Sequence, residues 1–93
     1  MKIEFNDPHG YFGTDPEAVE KVVDAIRQIT RASTVKSGKR TVKIAALRID
    51  MGADKWTTRI SVIDCRRRNI GHYYKGKFID NFMDELELEI IYP

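Results

Sequence analysis

The sequence predicts an α+β domain: a single antiparallel sheet with helices packed on one face. Two observations carry this expectation. One long amphipathic stretch, from Thr14 to Ser33, has helical spacing, and several short alternating stretches follow it, each bounded by glycine or clustered polar residues. With 93 residues, 42% hydrophobic and 32% charged, the chain fits one globular domain over residues 1–93, neither disordered nor membrane-embedded. A chain of this size buries roughly two thirds of the surface its unfolded form exposes, so its core is thin.

"KIEFN" (residues 2–6) alternates, with Ile3 and Phe5 on one side, and reads as a short strand with one buried face. "DPHGYFGTDP" is rich in breakers and reads as a loop, with Tyr11 and Phe12 folding back over the core edge. In "TDPEAVEKVVDAIRQITRAS", Ala18, Val19, Val22, Val23, Ile26 and Ile29 recur at helical spacing. Thr14 and Glu17 have the form of a capping box, and Pro16 suits the first turn. Early acids and late arginines complement the helix dipole, which accounts for Arg27 and Arg31.

"TVKSGKR" reads as a loop. "TVKIAALRIDM" is a strand whose alternation changes phase at Ala45 and Ala46, as a β-bulge or a strand covered on both faces would produce. "GAD" is a turn into "KWTTRISVID", where Trp56, Thr58, Ile60 and Val62 share one face. "IGHYY" is a further short strand after the connection "RRRN". Phe78, Ile79, Phe82, Met83 and Leu86 suggest a short helix, and "ELELEIIYP" closes the chain as an alternating strand. The resulting order, β-α-β-β-(β)-α-β, is ferredoxin-like in plan, with the last strand lying beside the first. Fold plan alone assigns no function.

Charge is segregated along the chain. Residues 1–24 carry six acids and two bases (−4), residues 25–79 fourteen bases and three acids (+11), and residues 80–93 five acids (−5), which together give the net +2. Such asymmetry is a sequence-level mark of an interaction surface. Pairing Ile60 and Val62 with Tyr74 and His72 sends Arg59, Ser61, Tyr73 and Lys75 to the face opposite the helices, with Arg48 beside them if the phase change is a bulge. Arg66, Arg67 and Arg68 form the rim, and Lys77 follows Lys75. The expected site is therefore a basic sheet face carrying the Tyr73 ring, suited to phosphates and a stacked base. Against it stand the ordinary roles: solvated loop arginines, Tyr73 as a cross-strand residue, and Trp56 and Tyr74 as core aromatics.

The expected function is a non-catalytic binding domain for an acidic partner, nucleic acid first. The alternative is a small protein inhibitor or regulator, of the kind mobile elements carry, that blocks a host enzyme's surface. A third reading is metal-independent RNA cleavage, with His72 or Tyr73 moving a proton. No nucleophile motif, phosphate-binding glycine loop or metal-ligand spacing appears, so no cofactor or metal is expected. Cys65 is the single cysteine, and neither a signal peptide nor a membrane span is evident, which points to the cytoplasm and away from a membrane partner. Oppositely charged sheet edges also allow head-to-tail self-association.

Overall fold

The structure, a computed structural model, describes residues 1–83 and 86–92. The described residues form one helix and seven strands: β1 (Lys2–Asn6), α1 (Pro16–Ile29), β2 (Thr34–Ser37), β3 (Arg40–Asp50), β4 (Arg59–Asp64), β5 (Asn69–Tyr74), β6 (Lys77–Asp80) and β7 (Glu89–Ile91). At 44% strand against 16% helix it is mostly sheet, a curled antiparallel half-barrel. The ferredoxin-like expectation is thereby overturned.

Helix α1 forms where its apolar spacing places it, burying Ala18, Val22, Ala25 and Ile29. Its N-cap is Asp15, not Thr14: the Asp15 carboxylate accepts the Glu17 N–H at 3.1 Å. The Thr14 hydroxyl instead donates to the Tyr11 carbonyl at 2.6 Å.

The expected second helix does not form. Residues 77–80 are a strand, and 84 and 85 lie outside the described residues. Its apolar spacing fits a helix turn or a strand equally well, and the preceding turn decides between them. Lys75 and Gly76 both have positive φ (48° and 83°), the geometry of a two-residue hairpin that sets Tyr74 opposite Lys77 and Tyr73 opposite Phe78. Phe78 is then fully buried, with its ring edge-on to Tyr73 at 5.4 Å.

"TVKSGKR" is likewise part of a hairpin, β2 running into β3 around Gly38. Strand β3 is long enough to serve two groups of neighbours. Its first half pairs antiparallel with β2, while its second half pairs antiparallel with β4 and parallel with β1. The register shifts between Ile44 and Ala46, so the change of phase in "KIAAL" is a bulge.

The order β6-β5-β4-β3-β2-β7 leaves β1 beside β3 alone. The terminal strand therefore does not flank the first: β7 pairs with β2, setting Glu89 opposite Lys36. Just before β7 the chain lies along the free side of β6, where Asp80 N–H donates to the Leu86 carbonyl and Leu88 N–H to the Phe78 carbonyl, both at 2.8 Å. Residues 86–91 thus reach from one side of the sheet toward the other and curl it. The Ser37 hydroxyl adds a hydrogen bond from β2 to the buried Asp80 carboxylate on β6. Leu88 joins Leu47, Ile49, Val62 and Phe78 beneath α1 in the single core.

Candidate functional site

Strand alternation fixes what the face opposite α1 displays. Leu47, Ile49, Ile60, Val62 and Tyr73 point inward. Their neighbours Arg48, Arg59, Ser61, His72 and Tyr74 point outward. In register, Glu4 lies beside Arg48, Arg48 beside Ser61, and Ser61 beside His72; one step along, Tyr74 lies beside Lys77.

The β4–β5 register differs by one residue from the expected one. Ser61 pairs with His72 and Val62 with Gly71, and the ladder shifts at Ile63. A one-residue slip exchanges faces, so Tyr73 is not on the open surface. It is 9% exposed, and its hydroxyl donates to the Asp24 carboxylate on α1. Burial and that neighbouring negative charge both raise the phenol's pKa above its ordinary value. The aromatic of the open face is Tyr74, 52% exposed, with the Lys75 ammonium 5.3 Å from its ring centre. Neither Tyr74 nor Trp56 is a core residue; Trp56 is 74% exposed in the β3–β4 loop.

The expected cations divide into two groups. Arg48 is paired with Asp50 at 3.1 Å, Arg67 with Glu4 at 2.8 Å and Arg68 with Asp64 at 3.0 Å. Hydrogen bonds from Arg67 hold the Glu4 carboxyl below its ordinary range. Among the described residues no carboxylate pairs with Arg59, Arg66, Lys75 or Lys77, all of them exposed. Position separates them further. Arg59, Lys75 and Lys77 gather with Tyr74 at one end of the sheet, whereas the arginine loop leaves the opposite end of β4, roughly 17 Å away at about 3.4 Å per residue. Arg66 is therefore outside the cluster that contains Arg59.

The loop itself is built by Asp64, which is 2% exposed. Its carboxylate accepts the backbone N–H groups of Arg66 (3.0 Å) and Arg68 (2.8 Å), and the Arg68 guanidinium at 3.0 Å. The triplet "RRR" is thus largely a folded turn, with Arg67 in the left-handed region (φ 64°).

His72 is exposed on the open face with Nδ1 2.6 Å from Asn81 Oδ1, and Asn81 Nδ2 donates to Asn69 Oδ1 at 2.8 Å. Because the Asn81 amide nitrogen is engaged as a donor, its oxygen accepts from Nδ1–H.

A groove of about 1180 Å³ adjoins the Tyr74 end, between α1, the β3–β4 loop and the β5–β6 turn. Val23, Trp56 and Tyr74 border it together with charges of both signs. Lys55 is bonded to Glu17 at 2.5 Å, which raises the lysine's pKa, and its ammonium lies 4.8 Å from the Trp56 ring centre. The usual burial of large aromatics, and alternation with Ile60 and Val62, predict Trp56 as core; the strand instead begins at Arg59, and Trp56 lies in the turn that Asp54 caps by accepting the Thr57 N–H at 2.9 Å.

Among the described residues, no group of three or more His, Cys, Asp or Glu side chains is placed to hold a metal ion, and no helix is long and apolar enough to cross a membrane. No protein-family model, curated protein or solved structure matches this chain.

Proposed function

We propose that this chain is a non-catalytic binding module whose open sheet face takes nucleic acid. The observation that carries the reading is the cluster of Arg59, Lys75 and Lys77 around the exposed Tyr74 ring, with no carboxylate paired to any of the three among the described residues. Cations set beside an exposed ring suit a single strand, which offers phosphates to the bases and an unstacked nucleobase to the phenol. A cytoplasmic setting goes with this reading, since a lone exposed thiol such as Cys65 stays free where the milieu is reducing.

Fluorescence anisotropy with labelled single-stranded and duplex oligonucleotides tests it. Three phosphate contacts give an expected slope of log K against log salt of about −2 on a single strand. Tyr74→Ala should weaken binding by about 1–3 kcal/mol, as loss of a stacking ring does, while Tyr73→Phe leaves it unchanged. Absence of binding at low ionic strength overturns the reading.

A second reading, a protein inhibitor or regulator, has its own observation: the exposed Trp56 beside Tyr74 in a groove of mixed charge. Trp and Tyr are the residue types that anchor protein interfaces. Capture of one stoichiometric protein, released by Trp56→Ala but not by Lys77→Glu, selects it over nucleic acid.

A further inference from the structure

Among the described residues, strand β1 pairs with β3 alone. The Asn6 carbonyl accepts the Met51 N–H at 2.9 Å, so the main-chain groups of Lys2, Glu4 and Asn6 face β3, and those of Ile3 and Phe5 face away. An outward row of donors and acceptors is a template for another strand. The inner-face side chains along the same edge are incompletely covered: Ile3 is 38% exposed and Phe5 48%, the latter set at right angles to the Phe12 ring with centroids 5.3 Å apart. Met1, next in that row, is exposed as well.

We infer that a second copy of this chain fills this edge, the two β1 strands pairing antiparallel about a two-fold axis at Ile3. The sequence selects both the occupant and the register. With Ile3 on the axis, each Lys2 stands opposite the partner's Glu4 on the outer face, and each Phe5 opposite the partner's Met1 on the inner one. Opposite charges and apolar side chains therefore meet at every position. Ile3, whose main-chain groups point outward, falls at a hydrogen-bonded pair. The other two-fold registers compatible with that orientation are disfavoured: centred on Lys2 or on Glu4 they set like charges face to face, and centred on Phe5 they set Ile3 opposite the partner's Asp7. In the chosen register Glu4 keeps its Arg67 partner and gains a second cation. Each half-barrel then continues into the other, and the Tyr74 cluster stays clear of the junction because β4 and β3 lie between.

Sedimentation velocity across a concentration series at low salt tests this, alongside amide hydrogen exchange at Ile3 and Phe5. The expected result is a reversible dimer, with exchange at those two amides slowing as concentration rises. Lys2→Glu should weaken the dimer roughly tenfold, two like-charge contacts replacing two attractive ones. Mixing the K2E chain with an E4K chain restores complementarity and should recover association. If E4K does not fold, the exchange data and K2E alone decide. A monomer at every concentration overturns the inference and leaves the edge to an extended segment of some other protein. A dimer indifferent to Lys2→Glu, or a folded mixture that fails to recover, overturns the register.

Discussion

Asp64 is the residue on which the arginine loop turns. Burial alone would raise its pKa, but the Arg68 N–H and guanidinium and the Arg66 N–H outweigh that, and the carboxyl titrates below its ordinary value. A carboxyl depressed in the folded state stabilises fully above its unfolded value. That contribution disappears as pH falls through about 4 toward the folded value. Thermal unfolding followed from pH 7 to pH 2 should therefore show a loss through this window that Asp64→Asn makes shallower. Asn keeps an oxygen for the two backbone donors, so at neutral pH the variant loses mainly the charge component; Asp64→Ala loses the acceptors too, at a cost of about 1–3 kcal/mol. Sequence showed a run of arginines and suggested a rim of free cations. It did not show that Asp64, on the final position of a strand, would commit Arg68 to the turn, because a carboxylate in phase with Ile60 and Val62 at a strand end reads as solvated from its charge, and its burial depends on contacts distant in sequence.

At the scale of elements, the sequence was legible where periodicity and end signals agreed. Pro16 with the apolar stripe of α1, and the phase change in β3, are of this kind. It misled where a short apolar run met a turn whose residue types were not diagnostic. "YYKGKF" carries Lys, not Asn or Asp, ahead of its glycine, so the hairpin at residues 74–77 was hidden, and with it the register that decides which tyrosine faces out. Lys75 occupies the left-handed region at φ 48°, a conformation that Asn adopts more readily. Lys75→Asn should raise the unfolding midpoint, by some part of the roughly 1–2 kcal/mol that the left-handed conformation costs an ordinary side chain. The same variant removes one cation of the Tyr74 cluster, so nucleic-acid affinity should fall and the salt slope flatten by roughly 0.7. Stability and affinity moving in opposite directions in one protein would separate the turn's structural role from its binding role.

For the whole molecule, the distinction between a flat sheet under two helices and a curled sheet under one rests on residues 86–91. Their alternating pattern announced a strand without naming its neighbours, since pairing partners are set by contacts distant in sequence. The contact that decides it is Leu88 over Gly71. A Cβ built on Gly71 would stand 2.3 Å from Leu88 Cδ1 and 3.0 Å from the Ile79 carbonyl oxygen, so only glycine lets the terminal segment lie against β6 with its leucine in the core. Gly71→Ala should force Leu88 outward and cost about 1–3 kcal/mol, the usual penalty of overpacking. For a domain of this length each kcal/mol lowers the midpoint by about 4–8 °C. Leu88→Ala leaves a cavity and should cost about 2–5 kcal/mol by itself. If the two residues define the curl together, the double variant should be destabilised by less than the sum of the single variants, by at least 0.5 kcal/mol, about the smallest coupling seen between residues in contact. Strict additivity in urea unfolding would mean that the terminal segment and β5 are energetically independent, and that the curl is held elsewhere, at Ser37 and Asp80.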